Sequence, residues 1–126
     1  MNNTLFVGID ISKRSNVATF MNCEGKVVGR LTFSNNGSGA ERLVAKILSY
    51  YEKEDLEAIR IGLENTSVYS KNLVWFLYEH EALNEHKLSI IPLNAIMVAN
   101  YKKSFLDMDK DDITDSFAIA DFIRIR

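Results

Sequence analysis

The first third of the chain alternates between apolar and polar positions with the period of β-strands. In residues 4–12, one face of the predicted strand is apolar and the other face is mostly apolar too. A strand that is apolar on both faces suits the centre of a sheet. Residues 16–21 and 26–33 continue the alternation after short polar links. Because such short links join antiparallel neighbours, this part of the sequence predicts a three-stranded meander.

The pattern then changes to the helical period. Residues 35–53 carry apolar side chains three and four positions apart, which predicts an amphipathic helix. Ser38 and Glu41 have the spacing of a capping box, so we expect them to satisfy backbone N–H groups at the start of this helix. Residues 57–64 return to alternation and predict a fourth strand, which ends at Glu64.

Residues 66–81 predict a second helix. Its apolar spacing indicates a buried stripe that contains Leu73, Leu77 and either Trp75 or Phe76.

A last strand and a last helix complete the pattern. Residues 87–92 predict a short strand that is stopped by Pro92, and residues 111–125 have helical spacing. The element order is therefore β-β-β-α-β-α-β-α, an α/β arrangement with a mixed sheet and helices on both faces. Right-handed crossovers would make the later strands parallel to the first. This order is the one found in ribonuclease-H-like domains, and we predict that fold class.

Composition narrows the class of protein. The 126 residues suit one domain, which we expect to span residues 1–126, and 47% hydrophobic residues indicate a folded core. The formal net charge of −2 provides no general basic field for nucleic acid, which weakens that interpretation without excluding it. Cys23 is the single cysteine, and neither a signal peptide nor an apolar run of membrane-spanning length is visible. We expect a cytoplasmic protein.

Two acidic residues lie where predicted strands end. Asp10 comes late in the first strand, and Glu64 ends the fourth. Each has an ordinary structural explanation, since Asp10 would suit a turn and Glu64 would suit the start of the following helix. If the two strands are parallel neighbours, however, both carboxylates lie at the same sheet edge, where α/β proteins bind ligands.

A third acidic group precedes the last apolar run, in the segment DKDDITD. Asp112 and Asp115 are three residues apart and so project from one helical face, where their like charges repel unless a cation lies between them. Asp109 and Asp111 are explained as residues of the helix cap and first turn. Taken alone, the whole segment is explained as the solvated start of a helix.

Together, Asp10, Glu64, Asp112 and Asp115 form a set of carboxylates that suits a hard divalent cation. We therefore predict Mg²⁺, with Mn²⁺ as a substitute, and phosphodiester chemistry of the two-ion kind is compatible with such a site. His80 and His86 are expected at the surface, so the sequence offers no cysteine–histidine set for zinc. The segment NNGSGA lacks the lysine of a nucleotide phosphate loop.

Three motifs in order give the chain a family resemblance. The segments VGIDISKRSNVATF, LENTSVYSKNL and KDDITDSFAIA resemble those of the N-terminal RuvC-like domain of DEDD-type transposases of bacterial insertion sequences. The similarity covers nearly the whole chain. It departs from the family pattern at Asn65, at Ser67, where glycine is frequent, and at Ser116, where alanine is usual.

The resemblance implies a function. Asp10, Glu64, Asp112 and Asp115 would be the four catalytic acids, which hold Mg²⁺ for DNA strand cleavage and transfer. The resemblance also implies that the chain is a fragment, because family members continue into a second domain with a serine thought to attack DNA. A structured guide RNA from the element and a homo-oligomeric full-length protein are further implied partners.

Three lysines near the last acids are candidate DNA contacts. Lys102, Lys103 and Lys110 would contact phosphates, although lysines before an acidic helix are more often simply solvated.

Three other functions remain open on the sequence. A stand-alone nuclease of the Holliday-junction resolvase kind would need only the four acids and a metal-bound water. A sugar-kinase-like domain also begins with a strand of this type, but it would carry glycine-rich phosphate loops that are not visible here. A non-catalytic assembly module could associate through the apolar residues 122–125.

Overall fold

A five-stranded mixed sheet forms the centre of the protein. The computed structural model describes residues 3–12, 15–64, 68–104 and 115–126. The sheet has the order β3-β2-β1-β4-β5. Its strands are β1 (Thr4–Ile11), β2 (Ser15–Met21), β3 (Val27–Ser34), β4 (Ala58–Glu64) and β5 (Lys87–Leu93). The first three strands are antiparallel neighbours, whereas β1, β4 and β5 are parallel, as the alternation and the crossover rule predicted.

Helices cover both faces of the sheet. They are α1 (Gly37–Glu54), α2 (Val68–Glu79), α3 (Glu81–Asn84), α4 (Ala95–Lys102) and α5 (Asp115–Ile125). Leu5, Val7 and Ile9 of β1 pack with the apolar stripes of α1 and α2, while Phe6 packs on the opposite face with α4 and α5. The predicted α/β, ribonuclease-H-like sheet with helices on both faces is confirmed. Within the described part of the chain, every helix is too short or too polar to cross a membrane.

Helix α5 lies directly on the central strand. A Cβ atom at Gly8 would come within 2.1 Å of the Ser116 carbonyl oxygen and 2.4 Å of the Ala120 nitrogen, distances at which atoms overlap. At the neighbouring Gly62, a Cβ atom would lie 2.9 Å from methyl groups of Ile119 and Ile123. Glycine at these two positions therefore lets the helix backbone approach β1, which fixes the height of α5 on the sheet.

A buried hydrogen bond fixes the start of α5 against a second strand. The hydroxyl groups of Thr19 in β2 and Ser116 in α5 lie 2.7 Å apart, and both side chains are fully buried. Ser116 stands where alanine is usual in the resembled family, and Thr19 provides its hydroxyl with a partner in the core. This departure from the family pattern is therefore accommodated without an unsatisfied buried polar group.

One predicted helix cap is wrong, and one predicted strand end differs by a single residue. The first helix is capped by Asn36, whose side-chain oxygen accepts a hydrogen bond from the Gly39 N–H at 2.8 Å, and not by Ser38, which lies inside the helix. The last strand ends one residue after Pro92, at Leu93, and Pro92 itself pairs in register with Leu63. Proline is tolerated there because β5 is an edge strand, with a neighbouring strand on one side only.

The helices after β4 differ partly from the prediction. Leu73 and Leu77 are buried in α2 as expected, and of the two aromatic candidates Phe76 packs against the core while Trp75 is 69% exposed. The helical pattern over 66–81 is divided into α2 and the short α3. Helix α4 was not predicted at all. Of the predicted last helix, residues 111–114 lie outside the described residues.

Candidate functional site

Asp10 and Glu64 lie side by side at the carboxyl edge of the sheet. The parallel register of β1 and β4 pairs Ile9 with Leu63, so the next position on each strand brings the two acids together. Because side chains alternate along a strand, they share the sheet face of Gly8 and therefore the face on which α5 packs. The convergence predicted from the two strand ends is present.

Asp115 brings a third carboxylate to this edge. It is the first residue of α5, and the close contact of that helix with Gly8 holds its first turn near the end of β1. Its charge raises the pKa of both Asp10 and Glu64, which requires all three groups to be near one another. The structure therefore places Asp115 at the same sheet edge as Asp10 and Glu64, and their shared role as metal ligands stays a prediction.

Burial and mutual repulsion disfavour the ionised forms of the acids in this site. Burial is the largest cause of the raised pKa of Asp10, followed by repulsion from Asp115. For Glu64, burial again comes first, followed by repulsion from Asp115 and from Asp10. Lys102 acts in the other direction and lowers both pKa values. The cluster is therefore a place where added positive charge is favoured.

Lys102 already supplies one positive charge. Its Nζ atom lies 2.6 Å from Oδ1 of Asp115, a charge-assisted hydrogen bond that joins the end of α4 to the start of α5. The sequence pattern missed this ion pair because it missed α4. The Asn94 cap, whose side chain accepts a hydrogen bond from the Met97 N–H at 3.1 Å, is the local signal that could have revealed the helix.

A second polar contact holds α4 against α5. The Tyr101 hydroxyl donates a hydrogen bond to Oδ2 of Asp121 at 2.6 Å, and Arg124 binds the other oxygen of that carboxylate. Burial and the Asp121 carboxylate raise the pKa of Tyr101 to about 12, so its hydroxyl remains a donor at neutral pH. The ring of Tyr101 also contacts that of Phe122. The residue before Lys102 is therefore fixed, which positions the lysine toward Asp115.

The donor set has the right chemistry for a hard cation but is not complete in the described residues. Within residues 3–12, 15–64, 68–104 and 115–126, no three histidine, cysteine or acidic side chains gather tightly enough to hold a metal ion. The fourth predicted acid, Asp112, and the predicted phosphate contact Lys110 lie outside them. The carboxylate oxygens of Asp10, Glu64 and Asp115 nevertheless match the ligand preference of Mg²⁺. The donor set therefore fits such an ion in its chemistry, and the ligand role of these residues stays a prediction.

The remaining predicted residues lie elsewhere. Lys103 is exposed at the end of α4, as a phosphate contact would need. His80 was expected at the surface, but its side chain is only 20% exposed and lies 3.6 Å from Glu41 of α1. His86 is partly buried and stacks on Tyr51, also of α1. Both histidines therefore pack toward the helix on the sheet face opposite α5.

Comparison with known proteins identifies one family. The sequence model of the IS110-type DEDD transposases, described as a transposase, matches residues 7–126. The search of curated proteins gave no match. Among solved structures, the chain is similar to a ROK family glucokinase from Streptomyces griseus in complex with glucose and AMPPNP, at 16% identity and a TM-score of 0.45. The match covers 79% of this chain and 36% of the glucokinase, so this chain spans about a third of that protein's length.

Proposed function

Because this chain belongs to the IS110-type DEDD transposase family, we propose that it is the catalytic domain for metal-dependent cleavage and transfer of DNA strands. The single observation that carries the proposal is the convergence of Asp10, Glu64 and Asp115, from three separate elements, at one sheet edge. Acids from separate elements that raise one another's pKa at one sheet edge favour a functional site over a purely structural one.

We assign the acids one shared role. Asp10, Glu64 and Asp115, together with Asp112, would hold Mg²⁺ through their carboxylate oxygens. The cation would supply charge stabilisation at the scissile phosphate and at the leaving oxygen. The carboxylates orient that charge, and the rigid strand ends of β1 and β4 keep their positions fixed during the reaction. Lys103, exposed at the end of α4, is the described lysine that we assign to a DNA phosphate.

The proposed partners follow from the family. DNA is the substrate, and a second, C-terminal domain supplies the attacking serine in the full-length protein, which is a homo-oligomer in the cytoplasm. A structured guide RNA from the mobile element is a further partner. Each of these proposals rests on the resemblance of the motifs around Asp10, Glu64 and Asp115.

The proposal is tested by calorimetric titration of the purified chain with Mn²⁺. We expect Asp10→Asn, Glu64→Gln and Asp115→Asn each to weaken binding by at least about tenfold, since each removes a ligand charge from the same site. Asp55→Asn is the matched control, because it removes the same charge at the opposite edge of the sheet. Asp55 has a left-handed backbone with φ of 52°, a conformation that asparagine adopts readily.

Two outcomes would change the conclusion. Equal Mn²⁺ affinity in the three site variants and in the Asp55 control would contradict the shared site. Cleavage of a four-way DNA junction by the chain alone, in Mg²⁺, would favour the stand-alone nuclease over the transposase domain, because that activity needs no second domain.

A further inference from the structure

The ammonium group of Lys102 already lies in the acid cluster. Its 2.6 Å contact with Asp115 is closer than most amine–carboxylate pairs, and the two side chains are 36% and 41% exposed. This contact joins the ammonium group to the carboxylate that α5 brings to the sheet edge of Asp10 and Glu64.

The position of Lys102 is built into the fold. Helix α4 is fixed to α5 by the Tyr101–Asp121 hydrogen bond and by the contact of Tyr101 with Phe122. Lys102 is the last residue of α4, where the helix dipole favours a cation, and Asp115 is the first described residue of α5. The packing of α4 against α5 therefore brings the pair together, although the two residues are thirteen positions apart in sequence.

This arrangement has a consequence for metal binding. A carboxylate oxygen that accepts a hydrogen bond from an ammonium group must lose or share that bond before it can coordinate a divalent cation. The two positive charges would also repel each other across the same small cluster. Since half-exposed ion pairs are weak, the ammonium group can be displaced, but its displacement lowers the affinity for the metal.

We propose that Lys102 is an internal counter-ion that competes with the divalent cation for the acid cluster and holds its metal affinity down. The inference rests on the proposed function, because it assumes that the cluster is the metal site. Lys102 is a positioning residue in this role and not a ligand. In the metal-free protein it offsets the repulsion among the acids, and in the metal-bound protein its ammonium group is released from Asp115. The released group is then available to a phosphate of the bound DNA.

The test compares Lys102→Met with Lys103→Met. Both variants lose one positive charge from the end of α4, but only the first loses the contact with Asp115. At constant ionic strength, we expect Lys102→Met to bind Mn²⁺ about two- to fivefold more tightly than the wild type in calorimetry, the range that a half-exposed ion pair implies. We expect Lys103→Met to change the dissociation constant by less than about twofold.

The effect of Mn²⁺ on thermal unfolding gives an independent readout that a merely structural lysine would not produce. Without metal, Lys102→Met should unfold at a lower temperature than Lys103→Met, because the acids lose their counter-ion. Saturating Mn²⁺ should raise the midpoint of Lys102→Met by more than that of the wild type. Lys102→Gln serves as a second variant if the methionine variant does not fold, and the same changes are expected of it.

The outcomes separate this inference from the proposed function. If the wild type binds Mn²⁺ and Asp10→Asn weakens that binding, but Lys102→Met binds no more tightly than Lys103→Met, the counter-ion role is wrong and the metal site stands. If the wild type binds no Mn²⁺, or Asp10→Asn leaves its binding unchanged, both are wrong.

Discussion

Folding places the carboxyl group of Asp10 where its ionised form is disfavoured. Burial and the neighbouring Asp115 raise its pKa above the ordinary value of 3.8, and the same causes, with Asp10 itself, raise that of Glu64 above 4.5. A raised carboxyl pKa means that the folded state binds the proton more tightly than the unfolded state does. The contribution of each group to stability is therefore fully present below its ordinary pKa and is lost as the pH rises through its folded pKa.

This electrostatic cost predicts that Asp10→Asn stabilises the metal-free protein at pH 7. We expect the free energy of unfolding to rise by less than about 1 kcal/mol, since the carboxyl is half-exposed and solvent screens its charge. The gain should disappear near pH 3, where the carboxyl is protonated in both states. Urea unfolding at the two pH values measures the difference.

Asp55→Asn is the control for the loss of a negative charge. The difference between its free energy of unfolding and that of the wild type should vary less between the two pH values than the difference for Asp10→Asn. A variant Asp10→Asn that is less stable than the wild type at pH 7 would contradict the prediction, because it would mean that the charged carboxylate is needed for the fold itself.

At the residue scale, the sequence predicted where the acids lie but not that Lys102 pairs with one of them. Asp10 and Glu64 could be found because each ends a strand whose alternation is clear, and parallel strands bring such ends together. The pairing of Lys102 with Asp115 could not be found, because it depends on the packing of α4 against α5 and has no periodic signal. The four-residue set remains a prediction at Asp112.

At the scale of elements, the contact between α5 and β1 determines the site. The helix backbone touches the strand at Gly8, so the position of Asp115 relative to Asp10 depends on the absence of a side chain there. All five strands were predicted within about a residue or two of their observed ends, the usual uncertainty of such limits. Helix α4 was missed because Ile96 and Met97 are exposed and Val98 is its one buried apolar residue. Its sequence therefore lacks the periodic stripe on which prediction depends.

The contact predicts that Gly8→Ala displaces α5. A methyl group at this position would overlap backbone atoms of Ser116 and Ala120, and backbone cannot move aside as a flexible side chain can. We expect a loss of about 1–3 kcal/mol in the free energy of unfolding, the usual range for overpacking. Mn²⁺ affinity should also fall, since Asp115 moves with the helix. Urea unfolding and calorimetry measure the two effects.

Gly37→Ala is the matched control for this change. A Cβ atom at Gly37 has no atom within 4 Å, and alanine favours a helix over glycine, so this variant should be as stable as the wild type or slightly more stable. If Gly8→Ala matched its stability and its Mn²⁺ affinity, the close approach of α5 would not be what positions Asp115.

At the scale of the whole molecule, the charge distribution limits how the proposed DNA substrate would bind. The net charge is −2, and the carboxyl edge of the sheet carries the acid cluster, so phosphates are repelled from the place where the proposed chemistry occurs. Binding must then depend on a cation that neutralises the cluster and on a small number of exposed basic side chains. Lys103 at the end of α4 is one of them.

This charge distribution predicts that duplex DNA binds weakly without a divalent cation and more tightly with one. Without metal, we expect a dissociation constant at the weak end of non-specific binding, about 10⁻⁴ M at physiological salt, and a several-fold improvement in Ca²⁺, which prefers the same oxygen ligands.

Lys103→Ala should reduce the slope of log affinity against log salt by about one if the lysine contacts a phosphate. Lys53→Ala, which removes an exposed lysine from the last turn of α1 at the opposite sheet edge, should leave the slope unchanged. Fluorescence anisotropy of a labelled duplex over a range of salt concentrations measures the affinity without metal, the affinity in Ca²⁺ and the salt slope of each variant. Equal slopes for the two variants would remove Lys103 from the DNA contact, and an affinity indifferent to Ca²⁺ would mean that DNA binds away from the acids.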